Sequence, residues 1–201
     1  MKKRSFRDWA VEADKRDFPA ATVEGFKKHL AKEPGDAVAQ FRMAENLRAL
    51  GRVSEARTVL EGLKNVPSEK LWFVHLCWGE LDMDTGDYQS AEHHFRQAAE
   101  LHGGSTVPWV YLGGCLAAQE KFVEGCQALE KGLNAKGDRD EVFLNLGYQK
   151  RAMGDYDGAY ECFKSACSLN RHYPEARVAL EDISFLRRMM KRSKKTLLRR
   201  L

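Results

Sequence analysis

Residues 143–169 read FLNLGYQKRAMGDYDGAYECFKSACSL. Gly154, Asp155 and Tyr156 interrupt two apolar-periodic halves, which predicts two short helices meeting at a tight turn. Gly147 follows an aromatic and a leucine on the first helix, and Ala159, Phe163 and Ala166 line one side of the second. Moving this template back 34 residues brings Trp109, Leu112, Gly113, Phe122, Leu129 and Leu133 into register. A second step of 34 reaches Gly79, Gly86, Tyr88, Ala91, Phe95, Ala98 and Leu101. One more, longer by a residue, reaches Met43, Ala44, Gly51, Ala56, Leu60 and Leu63. Agreement among four registers at so many positions marks an internal repeat, in which each unit buries its apolar face on the next.

Each recurring residue type has a physical reason. Gly79, Gly113 and Gly147, or Ala44, let the two helices of one hairpin approach closely, and Ala91 and Ala159 do the same from the second helix. Tyr88, Phe122 and Tyr156 are placed to fill the wedge at the turn, and Phe95 and Phe163 to pack between hairpins. Gly125 and Gly132 depart from the pattern, at up to about 1 kcal/mol each in a helix. Glu120 stands where the other repeats have a turn glycine, which predicts a looser hairpin there.

These residues resemble the tetratricopeptide repeat pattern W-x2-L-G-x2-Y…A-x3-F…A, met here as Trp109-x2-Leu112-Gly113 and as Gly154-Asp155-Tyr156…Ala159…Phe163…Ala166. The resemblance spans residues 37–173 and implies an all-α, right-handed α-solenoid of antiparallel helix hairpins, with helices of about 13 residues, some 20 Å long. The expected organisation is one solenoid over 1–186. A degenerate repeat at 1–36 uses Phe6, Trp9, Ala10 and Ala13, then Phe26 and Leu30. Units follow at 37–70, 71–105, 106–139 and 140–173, and a capping helix begins at 174–186. Residues 187–201 form a basic extension of that helix or a tail.

Charge is uneven. Arg187, Arg188, Lys191, Arg192, Lys194, Lys195, Arg199 and Arg200 put eight of the 33 basic residues in this tail, beside none of the 29 acidic ones. The net charge of +4 therefore belongs to the tail, and the remainder carries −4. Such a tail draws anionic partners by a salt-sensitive, sequence-blind attraction. Ile183, Leu186, Met190, Leu197 and Leu201 share one helical face, so a solvated end, a protein-docking helix and a basic amphipathic helix all fit.

Composition is that of a soluble globular chain: 201 residues, 43% hydrophobic and 31% charged. No apolar run approaches the roughly 18 residues of a membrane span, and MKKRSFRDWAVEADKRD carries no apolar signal core. Five cysteines without CxxC or framework spacing point to a reducing cytoplasm. No nucleophile–base pair is visible, and Gly103-Gly104 and Gly113-Gly114 match no phosphate loop, so neither enzyme activity, cofactor nor small-molecule substrate is expected. The adjacent His93-His94 lacks metal-ligand spacing and reads as solvent-exposed, His75 as packed, and the cysteines as structural; no metal is expected.

The resemblance implies that the first helix of each hairpin lines a concave groove. Its candidate peptide-binding residues are Phe41, Glu45, Phe73, Leu76, Glu80, Met83, Val110, Leu144 and Tyr148, continued in the capping helix by Val178, Asp182 and Phe185. Phe41, Leu76, Val110, Leu144 and Val178 form a uniformly apolar ladder, either exposed for a partner or packed between helices. The family's clamp for acidic tails needs Lys and Asn on these stripes, where Phe41, Glu45, Leu76 and Glu80 stand. The expected function is a protein-interaction scaffold or assembly chaperone holding an apolar, basic segment of a client, with room for a homo-oligomer. The alternative is an adaptor that tethers a partner to nucleic acid or an anionic membrane through the tail.

Overall fold

The computed structural model describes the backbone of residues 19–63, 66 and 68–198 and, among these, the side chains of 22–193. Phe6, Trp9, Ala10, Ala13, Arg199, Arg200 and Leu201 lie outside the described residues, as do the side chains of Lys194, Lys195 and Leu197.

Among the described residues there are ten α-helices: α1 (Pro19–Leu30), α2 (Ala37–Ala49), α3 (Val53–Glu61), α4 (Leu71–Thr85), α5 (Tyr88–His102), α6 (Thr106–Ala118), α7 (Phe122–Leu133), α8 (Arg139–Ala152), α9 (Tyr156–Leu169) and α10 (Pro174–Leu198). The fold is all-α. Short side-chain caps start several helices where the sequence offers a carboxylate or hydroxyl. Asp36 accepts from the Val38 and Ala39 amides, Ser105 from Val107, and Asp155 from Gly158. The chain divides into two compact units between Leu101 and His102.

In the first unit, Phe26 of α1, Phe41 and Leu47 of α2, Leu60 of α3 and Leu81 of α4 are buried in one core. In the second, Leu129, Val142, Leu146 and Cys162 form one cluster, and Leu144, Ala159, Phe163, Ala166, Ala176, Ala179 and Ile183 another. The repeat glycines do what close approach demands. A Cβ on Gly79 would enter the Phe95 ring, one on Gly113 would meet Leu129, and one on Gly147 would enter the Phe163 ring.

Gly125 and Gly132 depart from the pattern because α7 has unusual neighbours. The buried Gln149 of α8 occupies the space beside Gly125 and donates from Nε2 to the Gly113 carbonyl at 3.0 Å. Gly132 makes room for Trp109, whose indole N–H donates to the Gly103 carbonyl at 2.9 Å. Gly51, Gly86 and Gly154 end first helices in the left-handed region, with φ of 70°, 79° and 81°. Glu120 adopts the same conformation at φ 59°, so the turn keeps its geometry although the residue type opposes it.

Candidate functional site

The ladder of apolar residues divides on inspection. Phe41 is 1% exposed and meets Phe73 edge to face at 5.0 Å between ring centres. Leu76 is buried, and Leu144 is buried against Ala176, Ala179 and Ile183 of the capping helix. These three are therefore packed residues and not an open groove surface. Val110, Phe73 and Met83 are half-buried. Within each unit the buried members of the stripe lie where a neighbouring helix packs, Phe41 on Phe73 and Leu144 on α10, and a sequence pattern alone does not distinguish such a contact from a waiting site.

In the first unit the charged positions of this face satisfy one another. Arg48 pairs with Glu80 at 2.8 Å and with Asp84 at 3.0 Å, and Arg42 pairs with Glu45 at 3.0 Å. Glu45 and Glu80 are thus neutralised by their own chain. The same unit holds a cluster absent from the sequence expectations. His94 is turned inward and only His93 is exposed, which corrects the reading of both as surface residues. The Nδ1 atoms of His75 and His94 are 3.1 Å apart, so one must carry the proton that the other accepts. His94 lies 3.7 Å from Asp82, a buried carboxylate that accepts from Arg57 at 3.3 Å, and Arg57 and His94 both lie against Trp78. Burial holds both imidazoles below the ordinary histidine range; His93 adds to this for both and His94 for His75, while Asp82 opposes it for His94.

A second unforeseen group joins helices α1 and α2. His29 Nε2 lies 2.9 Å from Asp36 and 3.9 Å from Glu33. Asp36 already caps α2, so this group ties the end of one helix to the start of the next.

The face of the second unit differs. Tyr148 is 37% exposed, rests edge-on against Phe163 at 5.2 Å and carries Arg151 over its ring at the same distance. On α10, Val178 and Phe185 are 58% and 55% exposed, while Ala179 and Ile183 on the opposite side are buried. Asp182 is exposed between them. Glu141, at the start of α8, is pushed above the usual carboxylate range, first by burial and then by Asp138 and Asp140. Among the described residues neither Asp182 nor Glu141 has an ion-pair partner. The open residues among the candidates of this unit are therefore Tyr148 on α8 and Val178, Asp182 and Phe185 on α10, whereas Leu144 is packed against the buried side of α10.

The basic extension continues α10 as helix to Leu198. Arg187 forms an ion pair with Asp157 at 2.6 Å and lies 4.2 Å from the Tyr160 ring centre. Arg188, Lys191 and Arg192 are exposed. The cysteines Cys77, Cys115, Cys126 and Cys162 are buried, and burial raises the thiol of Cys77, Cys126 and Cys162. Among the described residues no helix is long and apolar enough to cross a membrane.

Comparison with known proteins agrees with this architecture. Residues 38–68 and 140–173 match models of the tetratricopeptide repeat. No curated protein matches the chain. Among solved structures, MamA 41-end from Desulfovibrio magneticus RS-1 is similar at a TM-score of 0.64 and 18% identity, over 84% of this chain and 95% of that one. The Cut9-Hcn1 hetero-tetramer of the APC/C gives a TM-score of 0.73 at 14% identity, over 90% of this chain and 36% of that one. The second TPR domain of human RPAP3, solved with an HSP70 peptide, gives 0.55 at 14% identity, over 59% of this chain and 98% of that one. The 34-residue register, the hairpins with small residues at their crossings and the two matched segments agree: the chain carries tetratricopeptide repeats, at 38–68 and 140–173, in a fold of the tetratricopeptide kind.

Proposed function

We propose that this chain is a protein-interaction scaffold, of the assembly-chaperone kind, that holds an apolar and basic segment of a client against the solvent side of α8 and α10. The observation that carries this is the exposure of Tyr148, Val178 and Phe185 around Asp182, a carboxylate with no cation of its own. Large apolar side chains left in water beside unpaired acids suit a partner segment that brings apolar anchors and positive charge together. The RPAP3 domain bound to an HSP70 peptide supports peptide binding as a use of this fold. The exposed carboxylate of Asp182 on this face favours a basic segment over an acidic one.

Fluorescence anisotropy with two labelled helical peptides of the same apolar pattern, one basic and one acidic, tests the proposal. The basic peptide should bind more tightly, and Val178→Glu with Tyr148→Ala should weaken it by about tenfold, the equivalent of 1.4 kcal/mol, without loss of helicity. Equal binding of both peptides, or binding untouched by the double substitution, would overturn it.

A further inference from the structure

The end of α10 outruns the unit it caps. At 1.5 Å per residue, its 25 residues span about 37 Å against about 21 Å for the 14 residues of α9. Arg187 already stands opposite Asp157 in the first turn of α9. Met190 and Lys191 face the turn at Gly154, Asp155 and Tyr156 across a cavity of about 240 Å3. Beyond them the helix has passed the last element of its hairpin.

The part of α10 from Leu186 onward has two unlike sides. Leu186, Met189 and Met190 are 40%, 48% and 42% exposed. At 100° per residue they fall on one side of the helix, and Arg188, Lys191 and Arg192 fall on the other. No acidic residue follows Asp182 in the sequence. The apolar side continues the line of Ala179 and Ile183, which are buried, into residues that stay exposed.

We infer that the C-terminal part of α10 lies on the surface of an anionic lipid bilayer, with Leu186, Met189 and Met190 in the headgroup boundary and the cations against acidic headgroups. A bilayer surface accommodates both sides of the helix at once. Nucleic acid would engage the cations alone and leave the apolar side in water. A symmetric pairing with a second copy would set two cationic helices side by side. Binding of this kind is reversible and salt-sensitive.

The test is sedimentation of the full chain with vesicles of phosphatidylcholine alone or mixed with phosphatidylserine. The chain should partition onto the mixed vesicles at least about tenfold more than onto neutral ones, and lose this preference as salt rises. Met189→Ser with Met190→Ser keeps the charge and should lower the partition about tenfold, as should Lys191→Glu with Arg192→Glu. All four residues are exposed, so circular dichroism should not change, and anisotropy with the basic peptide should stay at the wild-type value. Failure to bind mixed vesicles overturns the inference. So does equal binding to duplex DNA that the double serine variant leaves intact, which would assign the helix to nucleic acid. An oligomer dissolved by the serine variant, without vesicle binding, would assign it to a second copy.

Discussion

The two units use the same hairpin geometry and finish their faces in opposite ways. In the first, Phe41 is sealed against Phe73 and the charges at Arg42, Glu45, Arg48, Glu80 and Asp84 are spent on one another. In the second, Leu144 is sealed in the same manner, yet Tyr148, Val178 and Phe185 remain open around acids that have no partner. The lesson is that a repeat position fixes where a side chain sits along its helix. Whether the residue recognises a partner depends on what its neighbours supply.

The sharpest way to break this comparison is to place the same charge at a sealed and an open position. Leu144→Glu would put a carboxylate among Ala176, Ala179 and Ile183 with no cation to meet it. It should destabilise the second unit by at least about 3 kcal/mol, because apolar burial is lost and a charge is desolvated. Val178→Glu, 58% exposed in the wild type, should leave the thermal midpoint nearly unchanged and act only on peptide binding. Chemical denaturation of the two variants side by side measures the difference. Similar stabilities would mean that Leu144 is accessible after all.

Much of this molecule was legible in its sequence. The 34-residue register located the hairpins, and Gly79, Gly113 and Gly147 are the crossing points that the register predicts. The open and sealed positions were not separable in the same way. Phe41 and Val178 occupy equivalent places in the pattern, but burial depends on the helix stacked alongside, which a one-dimensional period does not specify. The inward turn of His94 was hidden for the same reason, since its partner His75 lies 19 residues away on the preceding helix. Gly125 and Gly132 looked like weakened alanine positions, whereas the space they leave is filled by Gln149 and Trp109.

Acid should separate the units further. His75 and His94 of the first unit are held below the ordinary histidine range, chiefly by burial, and they face His93, Asp82 and Arg57. For such groups the unfolded chain takes up protons more readily than the folded one. Their contribution is therefore complete above the ordinary histidine pKa and is lost as pH falls through it. Hydrogen-exchange protection factors of α4 and α5, taken against the intrinsic exchange rate at each pH, should fall between pH 7.5 and pH 5.5, roughly the range spanning the free imidazole value, more than those of α8 and α9. His75→Phe should flatten this dependence. A uniform fall across both units would remove the histidine pair as its cause.

The smallest expected effect concerns the turns. In the first unit both hairpin turns place glycine in the left-handed region, at Gly51 and Gly86. In the second, Gly154 does so at one turn and Glu120 at the other, with φ of 59°. A non-glycine residue held there is strained by its own Cβ, and that strain is of order 1 kcal/mol. Glycine relieves it but returns some freedom to the unfolded chain, so the two effects partly cancel. Relief should win because the turn is already formed: the Glu120 amide donates to the Ala117 carbonyl at 3.0 Å and the Lys121 amide to Leu116 at 2.9 Å. Glu120→Gly should therefore stabilise the second unit by about 0.5–1 kcal/mol, while Gly86→Glu should destabilise the first by at least as much. Urea midpoints of the two variants give the comparison directly. If Glu120→Gly proves destabilising, the glutamate side chain makes a compensating contact at this turn that outweighs its backbone strain.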